Sequence, residues 1–142
     1  MKISDVLRNK GTDVFTVSPD STVTELLAAL DEHGIGAVVV TSGDGVVVGI
    51  VSERDVVRRL HRDGVAVLEG PVSAIMTRQV QTCEEDDQVA DLAARMTERR
   101  IRHVPVLRDG KLHAVVSIGD IVKHRIDALA AERDHLEAYI QQ

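Results

Sequence analysis

Aromatic residues are almost missing from this 142-residue chain, which has one Phe, one Tyr and no Trp. Without a row of rings there is no platform on which single-stranded bases could stack. Cysteine is as scarce: Cys83 stands alone, so no disulfide forms within one chain and no cysteine-based zinc site is available. That usage fits a reducing compartment, and a cytoplasmic location is expected. Long apolar runs are lacking too. The longest, Val46 to Val51, is broken by Gly49 and falls far short of the roughly 20 residues a membrane helix needs. The opening MKISDVLRNKG has no apolar signal region, so neither targeting nor anchoring is expected. Basic charge is in deficit, with 17 Lys and Arg against 23 Asp and Glu and a formal net charge of −6. The chain as a whole therefore offers no broad footprint for duplex nucleic acid.

Motifs of chemistry are missing in the same way. No G-x-G-x-x-G, phosphate-loop lysine motif, G-x-S-x-G or H-E-x-x-H occurs. The six histidines do not pair at i, i+4 on any predicted helix, so no metal site is expected. No nucleophile and base are paired by spacing, which leaves an enzyme reading unsupported. What remains, 44% apolar and 28% charged, is the balance of one globular domain. A chain of this size buries about two-thirds of its surface, enough for a core without staples.

The chain repeats itself. One constant offset carries Thr16 onto Thr82, Val23 onto Val89, Leu26 onto Leu92, Leu30 onto Met96, Ile35 onto Ile101, Val38 onto Val104 and Val40 onto Val106. After a one-residue shortening in a turn, Val51 falls on Val116, Ser52 on Ser117, Asp55 on Asp120 and Val56 on Ile121. Two small units of one pattern suggest packing about a pseudo-twofold axis.

Each unit reads strand, helix, strand, strand, helix, an α/β pattern. Short strands at Val14 to Val17 and Val80 to Thr82 precede helices whose apolar residues (Val23, Leu26, Leu27, Leu30; Val89, Leu92, Ala93, Met96) recur at i, i+3, i+4 and i+7. Thr22 with Glu25 predicts a capping box. Two hairpins follow: Ala37 to Val40 with Val46 to Val51, and Val104 to Val106 with Leu112 to Val116 around Asp109-Gly110, a pair suited to a type I′ turn. Amphipathic segments, Ile3 to Leu7 and Val72 to Met76, precede the two units, and Gly70-Pro71 marks a linker. The chain thus divides into a first repeat over 1–70, a second over 71–124 and a helical extension over 125–142. In that extension Ile126, Leu129, Leu136 and Ile140 keep a spacing of three or four around Arg133. Such a stripe packs inside its own chain or clamps a dimer.

Both units end their last strand in S-x-x-D, as Ser52-Glu53-Arg54-Asp55 and Ser117-Ile118-Gly119-Asp120. The plain reading is a helix cap, with serine at the N-cap and the acid in the first turn. The functional reading uses the same geometry: free N–H groups and a hydroxyl at a helix start hold phosphate, while the carboxylate accepts both hydroxyls of a ribose. Arg54 adds a guanidinium fork to the first junction, where the second has Gly119, so the two sites should be unequal. Arg99 and Arg100 complement a helix C-terminus and are expected in solvent. Arg102 and His103 flank a buried strand and point to anion binding, with Gly34 and Gly36 opposite them leaving room for a ligand.

The duplicated unit, its G-h-h-S-x-x-D ending (h, apolar) and Ile101-Arg102-His103-Val104-Pro105-Val106 resemble the tandem cystathionine-β-synthase (CBS) domain pair, over about Lys2 to Lys123. More narrowly, the chain is similar to small stand-alone bacterial CBS-pair proteins whose last helix continues past the second domain. The resemblance implies two repeats packed about a pseudo-twofold axis and no required cofactor. It also implies clefts between the repeats that take AMP, ADP, ATP, NAD or S-adenosylmethionine. Carried over, Asp55 and Asp120 would each hold a ribose, while Ser52, Arg54, Arg102, His103 and Ser117 would meet phosphate. Backbone at Thr16, Ala37, Thr82 and Val104 would read adenine, and Thr77 would contact ligand. Ala114 replaces the motif glycine in the second copy. The resemblance further implies a homodimer, and an effector protein not identified by the chain. The expectation is a non-enzymatic regulatory module; the alternative is a protein–protein adaptor that uses its S-x-x-D elements only as caps.

Overall fold

In each half, a short strand runs into a helix whose apolar stripe covers a hairpin, and a second helix leaves the hairpin's far strand. The computed structural model describes residues 1–141; Gln142, the end of the expected extension, lies outside the described residues. In the first half β1 (Thr16–Val17), α2 (Val23–His33), β2 (Ala37–Thr41), β3 (Val47–Ser52) and α3 (Glu53–Asp63) follow a leading helix α1 (Ile3–Lys10). In the second, β4 (Cys83–Glu84), α4 (Val89–Arg99), β5 (His103–Arg108), β6 (Lys111–Ser117) and α5 (Ile118–Ile140) follow two 3₁₀ turns, Val65–Glu69 and Val72–Ala74. Each half forms a three-stranded sheet, β1-β2-β3 and β4-β5-β6, with a parallel pair and then an antiparallel hairpin. The middle strands are buried on both faces through Val38, Val39, Val40 and Val104, Pro105, Val106, which is why they read as continuous apolar runs rather than alternations.

Local chemistry sets most boundaries. The Thr22 hydroxyl accepts from the Glu25 N–H at 3.1 Å and starts α2. Ser52 and Ser117 start α3 and α5 with reciprocal capping boxes. Asp109 (φ 54°) and Gly110 (φ 77°) turn the second hairpin with the positive φ angles of type I′ geometry. The strand expected at Val80 to Thr82 instead forms at Cys83–Glu84, one residue later in the repeat than Thr16–Val17. Pro105 explains the slip. Its counterpart Val39 pairs with Thr16, but proline has no N–H to offer, and parallel pairing begins at Val106 opposite Cys83.

The two cores exchange their leading segments across the expected division at 70. Ile3, Val6 and Leu7 of α1 join Cys83, Val89, Leu92, Met96, Val104, Val106, Val116 and Ile121. Val72 and Ile75 join Val23, Leu26, Leu30, Val38, Val40, Val51 and Val56. Backbone bonds fix the exchange: the Ile3 and Ser4 N–H groups donate to Asp87 and Glu85 carbonyls, and the Val72 N–H donates to the Ser21 carbonyl at 2.7 Å. Each fully buried Leu, Ile or Val removes apolar surface worth about 1.5–3 kcal/mol, so the exchange binds the halves together as firmly as it fills them. Cys83 is buried within the second core, and that burial pushes its thiol pKa up to about 12.

Candidate functional site

The first cleft lies where β3 delivers Ser52 to the start of α3. The Ser52 hydroxyl accepts from the Asp55 N–H at 3.4 Å, and Asp55 Oδ2 accepts from the Ser52 N–H (2.9 Å) and hydroxyl (3.2 Å). This box spends Oδ2 and leaves Oδ1 without a protein partner among the described residues. The Glu53 N–H donates to the Gly36 carbonyl at 3.0 Å. With the Glu53 and Asp55 N–H groups committed, the start of α3 is not the open set of backbone donors that the sequence suggested. Positive charge comes from side chains instead.

Those side chains converge on a cleft of about 450 Å³ lined by Ala37, Ser52, Arg54, Asp55, Thr77, Arg102 and His103, all named from sequence. Arg100, exposed as expected, also lines it. Arg100 caps α4 in the left-handed region (φ 55°, ψ 44°), where its repeat counterpart is Gly34 (φ 62°, ψ 37°). A side chain in that conformation costs about 1 kcal/mol or more, and such strain clusters at functional sites. Thr77 is held by a two-bond bridge, its N–H donating to the Ile50 carbonyl at 2.8 Å and its carbonyl accepting from Ile50 at 3.0 Å. Gly49 makes the approach possible, since a Cβ there would stand 2.5 Å from Met76 Sδ and 3.1 Å from the Thr77 carbonyl.

Ala37 and His103, pseudo-equivalent residues at the starts of β2 and β5, line both this cleft and a second one. Burial and then the Lys10 ammonium hold the His103 pKa below the ordinary histidine value, with Arg102 adding to them and Asp120 opposing. The second cleft is smaller, about 300 Å³, and is lined by Lys10, Asp13, Val14, Phe15, His103 and Ser117 among others. Asp120 repeats the cap: its Oδ2 accepts from the Ser117 N–H at 2.8 Å. That oxygen also accepts from Lys10 Nζ at 2.5 Å, and Lys10 donates as well to the Val115 carbonyl. Burial raises the Asp120 carboxyl pKa, but the hydrogen bonds from Lys10 and Ser117 outweigh it and the net shift is downward. Asp120 therefore faces a smaller space between α1 and α5, beside Lys123 and His124, rather than the cleft lined by Ser117.

Not all sequence candidates converge. Thr16 and Thr82 line neither large cleft; Gln79, Val80 and Gln81 stand in the first and Asp13, Val14 and Phe15 in the second, just ahead of the two threonines. The Thr82 carbonyl accepts from Arg95 at 3.3 Å. Val104 is buried in the middle of its sheet and lines neither cleft. Lys10, Arg100 and Phe15 were missed, although the repeat offset that sets Arg100 against Gly34 marks one of them. Among the described residues, no group of three or more His, Cys, Asp or Glu could hold a metal ion. Among the described residues, no helix is long and apolar enough to cross a membrane.

The comparisons agree with this architecture. The CBS-domain family model matches residues 3–62 and 72–127, on either side of the linker and into the first part of α5. A CBS-domain containing protein from Agrobacterium tumefaciens superposes with a TM-score of 0.84 at 46% identity, covering 88% of this chain and 99% of that one. CBSX2, solved in complex with AMP, superposes at 0.76 with 21% identity, covering 89% and 97%. A CBS domain pair solved with 5′-methylthioadenosine and S-adenosyl-L-methionine superposes at 0.72 with 24% identity, covering 87% and 94%. Two family matches in register with two copies of one sheet lead to one conclusion: the chain belongs to the CBS-domain family, as a tandem pair.

Proposed function

We propose that this chain is a regulatory sensor that takes an adenine nucleotide or related adenosyl ligand (AMP, ADP, ATP, NAD or S-adenosylmethionine) in the first cleft and signals through a dimer or partner interface. The observation that carries the reading is Asp55, whose cap uses one carboxylate oxygen and leaves the other facing a cleft with three arginines. A carboxylate so held accepts ribose hydroxyls, while Arg54, Arg100 and Arg102 meet phosphate charge. Ser52 orients the carboxylate, and His103 gains a proton as an anion arrives beside it. Backbone at Ala37 and the bridged Thr77 sit where an adenine edge would be read. In the second cleft the same roles fall to Asp120 and Ser117, with backbone just ahead of Thr16, once Lys10 releases Asp120; the backbone just ahead of Thr82 stands in the first cleft instead. The solved relatives that hold AMP or S-adenosylmethionine support the ligand class.

The test is a thermal-shift and calorimetric panel of AMP, ADP, ATP, NAD, S-adenosylmethionine and GTP. A ligand at 100 times its dissociation constant stabilises the native state by about 2.7 kcal/mol, a rise of roughly 10 °C. A selective adenosyl response that is lost in Asp55→Asn is the expected result. A panel without response at millimolar ligand would replace the sensor by the adaptor reading.

A further inference from the structure

Among the described residues, His103 is the one ionisable side chain that lines both clefts. On the side of the second cleft its charged neighbours are the Lys10 ammonium, at the end of α1, and the Asp120 carboxylate, at the start of α5; Arg102 stands next to it in the chain. Further round, Glu53, Arg54, Asp55 and Arg100 line the first cleft and Asp13 lines the second. Burial, then Lys10 and Arg102, favour the neutral imidazole. Lys10 and Asp120 form an ion pair whose side chains are 32% and 23% exposed, so salt screens it less than a surface pair. A charge at His103 acts on both members of that pair in the same sense. An imidazolium repels the Lys10 ammonium, and it offers Asp120 a second cation.

We propose that the two clefts are coupled through His103: an anion in the first draws a proton from solvent onto the imidazole, the imidazolium loosens Lys10 from Asp120, and the second cleft gains its carboxylate. The coupling rests on the reading of the first cleft as an anion site. Because a coupling free energy is reciprocal, release of Lys10 strengthens anion binding at the first cleft by the same factor, and tenfold lies within the ordinary range of about 5–150. The direction sets this apart from the general field of charge. Removing a cation from a protein ordinarily weakens its hold on an anion. Removing Lys10 strengthens it here, since the imidazole beside the first cleft then protonates more readily.

Inorganic pyrophosphate tests the coupling in the full chain, with binding read by calorimetry and Lys10 by its rate of acetylation against Lys2, Lys111 and Lys123 in the same molecule. Saturating pyrophosphate should speed acetylation of Lys10 about tenfold in the wild type and leave it unchanged in His103→Gln. Pyrophosphate that binds without speeding Lys10, or that speeds it equally in His103→Gln, overturns the coupling and leaves the first cleft as an anion site. Lys10→Met, which leaves every residue of the first cleft in place, gives the reciprocal reading: its affinity for pyrophosphate should exceed that of the wild type about tenfold. An equal or weaker affinity overturns the coupling. No binding of pyrophosphate to any of the three chains removes the anion reading of the first cleft itself, and the coupling with it.

Discussion

The two clefts share a scaffold and differ in what reaches the strand-to-helix junction. In the first, Gly49 admits Met76 and Thr77, and the Ile50 carbonyl accepts from the Thr77 N–H. In the second, Ala114 occupies the glycine's place, and the equivalent Val115 carbonyl accepts from the Lys10 ammonium. Lys10 then reaches Asp120, whereas among the described residues the Asp55 carboxylate meets only its own serine. A methyl group and a lysine, in segments far apart in the chain, thus separate a carboxylate with an oxygen to offer from one already neutralised. The lesson is that duplication conserves the cap more readily than the use made of it.

Lys10→Met is the strongest way to break that difference. It frees Asp120, and titration calorimetry with an adenosyl ligand should pass from one to two ligands per chain, with affinity at the second cleft gaining about tenfold or more from the lost competition. Independently of any ligand, the Asp120 carboxyl pKa should rise on carboxylate NMR titration. An unchanged Asp120 titration would mean that the ion pair does not hold the residue.

Arg100→Gly sharpens the comparison from the other side by giving the second repeat the cap residue of the first. Relief of the left-handed backbone should raise unfolding stability by about 0.5–1 kcal/mol. Phosphate-bearing ligands should lose about tenfold in affinity at the first cleft while adenosine loses little. A variant that loses stability would show that the strained conformation is repaid by contacts in the native state.

The smallest effect is on pH. The folded His103 pKa lies below its unfolded value, so the unfolded chain takes the proton first as pH falls. His103 therefore contributes stability that is fully present above about pH 6.5, its unfolded value, and falls off between there and its folded pKa. Urea unfolding of the wild type against His103→Gln should show this slope only in the wild type. Bound phosphate raises the imidazole pKa, so anion affinity should increase as pH falls through the same window.

Much of this was legible in the chain. The repeat offset is read by laying the chain on itself, and the two S-x-x-D caps and the Asp109-Gly110 turn rest on residues within one turn of one another, where local hydrogen bonding suffices to form them. Much of the lining of the first cleft was legible, since Ser52, Arg54 and Asp55 stand at a cap and Ala37 and His103 at matched repeat positions, with Arg102 beside them; Thr77 came only from the resemblance. The strand at Cys83–Glu84 was misplaced because its register depends on Pro105, a residue on another strand. Arg100 is exposed as expected, but its place on the cleft was missed because a dipole argument sees a helix end and not the surface that the end faces.

The sequence by itself determined the duplicated α/β pattern, the caps and the apolar stripe on α5, because periodicity and local polar contacts are written in consecutive residues. Only the tertiary structure decided that α1 completes the core of the other repeat, that Lys10 holds Asp120, and that His103 lies between two clefts. Those facts depend on where an apolar helix finds an uncovered groove and on which charge that groove brings within reach, and no spacing along the chain encodes either.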